Sequence, residues 1–278
     1  TNSDSPANDY NFSLTGGSDG SEPTTANLQA VYTTAFGDAE TLDVNILIGP
    51  VGADTSEVAY AAANAVISVA SSRKDCVAVV SPPTTGTDGT ALQSTVATAV
   101  TKTTDWSSGV SSSSYGIMTS SCVYVYDKYN DLYRWVGSAG HVAGLLANVD
   151  NVAETWFSPA GYNRGQLRGV VKLGYNPTSS QRDTLYKGRV NPLVSFPGQG
   201  IILFGDKTAQ SKPSAFDRIN VRRLFIALEK AISTASKYQL FELNDEFTRA
   251  MFRNMTEPFL RDVKGRRGVT DFLVVCDE

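Results

Sequence analysis

Residues 43–80 read DVNILIGPVGADTSEVAYAAANAVISVASSRKDCVAVV, and this stretch decides the fold. Asp43–Ile48 is a short apolar run closed by Gly49-Pro50, the punctuation that ends a strand. Asp54, with Glu57 three residues later, matches a capping box, and an Ala-rich helix is predicted from there to about Ser72. Cys76–Val80 is a second apolar run, stopped by Ser81-Pro82-Pro83. Strand, helix and strand in this order make a βαβ unit. The predicted class is therefore α/β, a βαβ-containing mixed sheet flanked by helices.

On the N-terminal side, residues 1–40 are rich in Gly, Ser, Thr, Asp and Asn and read as a linker or surface loop entering a domain that spans 41–278. On the C-terminal side, a second helix is predicted over Gly89–Thr103. Between Ser81 and Ser121, Ser and Thr make up 20 of 41 residues, which predicts an exposed, loosely ordered stretch. Cys122–Tyr126 and Leu132–Val136 read as a hairpin around Lys128–Asp131. Ser138 is placed to cap a helix through Ala147. Short strands are expected in 156–173, a short helix over Gln181–Gly188, and a strand over Ile201–Phe204. Two longer helices follow. In the first, Asp217 is the expected N-cap and Phe225, Leu228, Ile232 and Ala235 the shared face. In the second, Asn244 caps, Phe247, Met251 and Met255 recur every four residues, and Pro258 is expected to kink or restart the helix. Val269–Cys276 reads as a final strand. The chain opens at Thr1 and closes just after that run, so both ends read as cut from a longer protein.

The 278 residues are 41% apolar, enough for one large domain or two small ones. The longest nearly apolar run, Val58–Ala70, is 13 residues, too short for a membrane span of roughly 20. No basic segment followed by an apolar one opens the chain. Net charge is −4, but it is divided unevenly. Residues 1–150 carry 5 Lys/Arg against 15 Asp/Glu, and residues 151–278 carry 19 against 13. Such a chain suits a nucleic-acid partner or electrostatic contact between copies of itself.

His141 is the single histidine, so a catalytic triad or a multi-histidine metal centre would have to pass through it. The three cysteines, Cys76, Cys122 and Cys276, form no CxxC pair and sit in apolar runs, as buried free thiols do. Gly49-Pro50-Val51-Gly52 is the one candidate phosphate cradle, yet GxGxxG and GxxxxGK[ST] spacings are both missing. It supports the alternative reading, an α/β nucleotide-binding protein or enzyme. Asp127, Asn130 and Asp131 depart from EF-hand spacing and read as a polar turn. Arg218, Arg222 and Arg223, then Arg249 and Arg253, then Arg261, Lys264, Arg266 and Arg267 form basic clusters at helical spacing. Aromatic residues do not interleave with them, which disfavours single-stranded nucleic acid.

Several strings in succession resemble the contractile tail sheath proteins of T-even-type bacteriophages. They are DKYNDLYRWV (127–136), ETWFSPAGYNRGQ (154–166), LFGDKTA (203–209), FDRINVRRLFIAL (216–228), YQLFELNDEFTRAMFR (238–253) and VVCDE (274–278). The resemblance implies a tail-sheath core domain and a structural subunit, not an enzyme, with no cofactor and no metal. It implies a place in the virion tail after assembly in the bacterial cytoplasm. Its partners would be other sheath subunits in six-membered rings, the inner tail tube, the baseplate and the tail terminator, without direct nucleic-acid binding or membrane insertion. Contraction of the sleeve would drive the tube through the host envelope. Subunits of this family are linked by arms that add strands to a neighbour's sheet. Arg261, Lys264, Arg266 and Arg267 are the expected assembly or tube contacts. Val269, Phe272, Val274 and Cys276 mark the expected inter-subunit edge strand. Lacking the family's N-terminal part and C-terminal arm, this chain is expected to be monomeric.

Overall fold

In a computed structural model, the chain is described over residues 24–50, 56–83 and 95–276, together with Gly17. Four short strands, β1 (Ile46–Ile48), β2 (Val77–Val80), β3 (Gly116–Thr119) and β7 (Val190–Asn191), form a parallel sheet in the order β1-β2-β3-β7. Helices α2 (Ser56–Arg73) and α3 (Val96–Gly109) lie in the two crossovers that join β1 to β2 and β2 to β3. Antiparallel pairing is confined to two smaller sheets. One joins β4 (Cys122–Asp127) to β5 (Leu132–Gly137) and β6 (Val170–Leu173); the other pairs β8 (Leu193–Phe196) with β9 (Gly200–Leu203). The α/β class and the predicted βαβ unit both hold. The expected capping box at Asp54 lies outside the described residues.

β2 is buried at every position, and its alternation assigns the two faces of the sheet to two cores. Cys76, Ala78 and Val80 pack with Ala63, Val66, Ile67 and Trp106 under α2 and α3. Val77 and Val79 point the other way, to Val142, Leu145 and Leu146 of α4 (Ala139–Val152). Both buried thiols, Cys76 and Cys122, are pushed up to about 11 by burial, so they stay protonated and inert.

Three expectations fail for identifiable reasons. Residues 1–40 are not loop throughout: Thr24 caps α1 (Thr25–Phe36), whose Tyr32 and Phe36 pack on the core under α2. The helix expected at Gly89–Thr103 is α3, which starts seven residues after its predicted start, capped by Thr95, and 84–94 lie outside the described residues. The Ser/Thr-rich stretch is only partly exposed where it is described: Thr103, Ser107, Ser114 and Thr119–Ser121 are buried, whereas Thr95, Thr101, Ser108, Ser111 and Ser112 face solvent. Thr103 Oγ1 donates to Ala99 O at 2.8 Å and Thr104 Oγ1 to Val100 O at 3.0 Å, so these hydroxyls satisfy themselves on their own helix. Thr119 and Ser138 share a 2.6 Å hydrogen bond, and Ser120 Oγ accepts from Leu193 N at 2.8 Å.

Further along, α5 (Ser179–Lys187) opens with a Thr178/Gln181 capping box, close to the expected position. α6 (Ile219–Ser236) begins after the one-turn helix Ala215–Asp217, so Asp217 precedes the cap instead of forming it. Ile219 and Ile226 join the core beneath the sheet, and Leu224 and Leu228 face α7 (Glu246–Gly265); Phe225, assigned to the shared face, is exposed. Asp245, one residue past the expected cap, accepts from Thr248 N at 2.7 Å, and α7 runs through Pro258 without a break.

Arg73 fastens α1 and its following loop to the βαβ unit. Its side chain is fully buried and makes five hydrogen bonds: two to Asp75 (2.9 and 2.8 Å) and one each to the carbonyls of Phe36 (2.6 Å), Asp38 (2.9 Å) and Leu42 (2.7 Å). A lysine keeps the charge but lacks the planar fork. Arg73→Lys is therefore expected to lower unfolding stability by about 2–4 kcal/mol, measured by urea denaturation. An unchanged midpoint would remove this clamp from the account.

Candidate functional site

The C-terminal end of α7 collects the basic residues singled out above. The helix closes in a Schellman motif: Gly268 N donates to Val263 O at 2.9 Å and Arg267 N to Lys264 O at 3.1 Å. Arg267 occupies the left-handed position, φ 67°, where glycine is usual. Gly268 follows because space is short there: a Cβ would lie 2.5 Å from Val263 Cγ1. Trp156 Nε1 donates to Arg266 O at 3.1 Å, so this helix end is docked on the loop after α4.

The four basic side chains have different fates. Arg266 pairs with Glu154 at 3.0 Å and with Asp262 at 3.1 Å, and Lys264 pairs with Asp271 at 2.9 Å. Arg261 and Arg267 are exposed and form no ion pair among the described residues. The other basic clusters are spent inside the molecule. Arg223 is buried against Asp150 at 2.6 Å. Arg222 is buried between the rings of Phe216 and Tyr115, 4.0 and 4.3 Å from their centroids. Arg249 Nη1 donates to Asn244 at 3.1 Å, and Arg253 donates to the Cys276 carbonyl at 3.1 Å. Helical spacing alone cannot tell a basic stripe facing water from one that closes a core.

After Gly268 the chain does not form a strand. Residues 269–276 make no ladder within the described residues, which corrects the expectation of a strand at Val269–Cys276. They do alternate with period two. Phe272, Val274 and Cys276 are half-buried, whereas Leu273 and Val275 are 83% and 67% exposed. Val269 packs on the small core that Leu224, Leu228 and Val263 form between α6 and α7. The four residues expected to mark the edge are thus the inward ones, and the outward apolar pair is Leu273 and Val275.

Two features escaped the sequence reading. One is the turn from α6 to α7, where Tyr238, Leu240, Phe241 and Leu243 are exposed, continuing onto Phe247 and Met251 of α7. The face that recurs every four residues points to solvent, not to the core. The other is Asp206, just after β9. Its main-chain carbonyl accepts from Ile219 N at 3.3 Å at the start of α6, while its carboxylate Oδ1 is buried without a partner. Burial pushes its carboxyl up to about 6, outweighing the opposite pull of the neighbouring Ser158, Ile219 and Asn220 polar groups and of Arg218.

The enzyme-like alternatives gain no geometry. Gly49 is explained by packing, since a Cβ there would lie 2.7 Å from Val80 Cγ1; Val51 and Gly52 lie outside the described residues. Asp127 closes the β4–β5 turn, accepting from Tyr129 N at 3.0 Å and Asn130 Nδ2 at 2.7 Å. His141 is half-buried, its basicity lowered by burial. Among the described residues no group of three His, Cys, Asp or Glu could hold a metal, and no helix is long and apolar enough to cross a membrane.

The family model for the phage tail sheath protein central domain matches residues 24–209, and that for the phage tail sheath C-terminal domain matches 211–278. The chain belongs to the phage tail sheath family. It is 42% identical to the tail sheath protein of Enterobacteria phage T4 over 277 residues, 96% of this chain and 41% of that protein. It is 44% identical to the tail sheath protein of Vibrio phage KVP40 over 256 residues, 87% and 38% of the two. It thus spans about two fifths of the length of these relatives. The same fold occurs in the sheath complex of an extracellular contractile injection system in its contracted state (TM-score 0.67, 21% identity, 87% of this chain and 62% of that one). It occurs also in the sheath tail protein of Listeria innocua (TM-score 0.60, 12% identity, 94% and 54%).

Two substitutions test this region. Arg267→Gly removes a left-handed non-glycine residue and is expected to raise stability by about 0.5–1 kcal/mol; a loss would show that the arginine side chain supports the fold. Asp206 binds a proton more tightly folded (about 6) than unfolded (about 3.8), so its stabilising contribution is present below pH 4 and lost as pH rises through 6. Asp206→Asn is therefore expected to be the more stable protein at pH 7.5, by about 1–3 kcal/mol, with the gap closing by pH 4. A gap independent of pH would contradict the buried, proton-linked carboxyl.

Proposed function

We propose that the chain is the core of a structural, non-enzymatic subunit of a bacteriophage contractile tail sheath, working in the virion tail. The observation that carries this reading is the two adjoining sheath-family matches, which cover residues 24–278 in the family's order. Copies would polymerise as six-membered rings around the inner tube, anchored by baseplate and terminator after assembly in the host cytoplasm. Contraction would drive the tube through the host envelope. No cofactor enters the scheme, because the energy is stored in the assembled lattice.

The unpaired Arg261 and Arg267 are the proposed contacts to acidic surfaces on the tube or on neighbouring subunits, with Lys264 and Arg266 holding the helix end in place. Exposed charge pairs can be remade at a new register with little desolvation cost, as a sliding lattice requires. Residues 269–276, with Leu273 and Val275 outward, are the proposed inter-subunit edge. Both surfaces together are small, so the chain by itself is expected to be monomeric.

The test is negative-stain electron microscopy of the full-length protein that carries this chain. Hollow tubes of uniform width are expected; dispersed particles under assembling conditions would contradict the proposal. Arg261→Glu with Arg267→Glu is expected to cut the assembled fraction at least tenfold while the melting temperature holds. Normal tubes from that variant would refute the basic contact.

A further inference from the structure

Apolar surface is left open at opposite ends of α6. At its C-terminal end is the α6–α7 elbow, whose foremost residue is Phe241. That side chain is fully exposed, and its backbone sits at φ 70°, a left-handed conformation that disfavours every residue but glycine. No packing within the chain repays it. Such an outlier points to a use outside the fold of the single chain. Glu242, Asp245 and Glu246 follow it in the chain, all exposed.

At the N-terminal end of α6 is a cavity of about 470 Å³, a size suited to a bound group. Ala160, Tyr186, Pro192 and Phe204 line it. Phe204 is 40% exposed and belongs to an aromatic cluster, 5.5 Å from Phe196, which is itself 5.4 Å from Tyr162. The Arg182 guanidinium lies over Phe196 and Phe204 at 5.7 and 5.6 Å, and Lys207 and Arg218 flank Tyr186. Two acids also line the cavity, Asp183 on its rim and Asp206, which is engaged by the start of α6.

An exposed aromatic knob with acidic neighbours and an open aromatic cavity with the Arg182 guanidinium over its rings are complementary. The 18 residues of α6, about 27 Å of helix, separate them, so a chain cannot fill its own cavity. We propose that the elbow of one copy docks into this cavity on a second copy, Phe241 entering beside Phe204 and Pro192 and Glu242 facing Arg182. The contact is heterologous, so it propagates and does not close on itself, as a helical sleeve requires. The inference rests on the polymerising subunit proposed above and adds which surfaces meet. A single knob buries much less than the 1,200 Å² or so of a stable dimer. The contact therefore forms within the lattice, where other contacts hold the copies together.

The test uses the full-length protein with the half-buried Cys276 replaced by serine, which leaves the buried Cys76 and Cys122 within this chain, and with any exposed cysteine outside it likewise replaced by serine. One variant adds Phe241→Cys, the other adds Ser179→Cys on the cavity rim. Tubes assembled from an equal mixture are treated with a short bismaleimide. The expected result is a covalent dimer at least tenfold more abundant than with either variant alone. Tubes that assemble without the cross-link overturn this contact and leave the sheath reading standing; failure of the unsubstituted protein to form tubes overturns both. Phe241→Ala is expected to weaken assembly at least tenfold with the melting temperature unchanged or raised. Unimpaired assembly would overturn the knob.

Discussion

The structure depends on one strand being buried on both faces. β2 sends Ala78 and Val80, with Cys76 just before it, to the core under α2 and α3, and Val77 and Val79 to the core under α4 and α6. A parallel strand in that position has no solvent face, so neither layer can slide without opening the other. Close packing on two sides makes the centre of the molecule a body that moves as a unit.

What can vary is attached to that body at its margins. α6 reaches the central core through Ile219 and Ile226 and carries α7 on its other face through Leu224 and Leu228. The two regions matched by separate family models are thus joined through a shared core. Outward from this frame lie the elbow, the end of α7 and residues 269–276. Each holds an exposed feature without a partner among the described residues: the Phe241 ring at positive φ, the Arg267 side chain, and Leu273 with Val275. A rigid centre with its uncompensated features at the rim is what the proposed sheath subunit would need, since neighbours would complete it.

The central fold was legible because its signals are local. The run-helix-run of 43–80, the Lys128–Asp131 turn and the short helix expected over Gln181–Gly188 are each set within a few residues, and the structure follows them where they are described. What was not legible depends on tertiary partners. Arg222 and Arg223 look like an exposed stripe until Tyr115 and Asp150, distant in sequence, and Phe216 from the preceding turn close over them. The Ser/Thr-rich stretch looks solvated until its hydroxyls turn back onto α3. The apolar spacing of α7 correctly marks a face, but periodicity does not say whether that face meets this chain or another one. Asp206 gave no sequence signal, because its perturbation comes from burial at the start of α6.

The central claim is that the β2 core stays intact while rim contacts change between the extended and contracted sleeve. Amide hydrogen exchange on tubes of the full-length protein, in both states, tests it directly. The account predicts full and equal protection of Val77–Val80 in both, with differences confined to the elbow, the end of α7 and residues 269–276. Loss of protection along β2 in either state would contradict it, placing the change inside the fold instead of between copies.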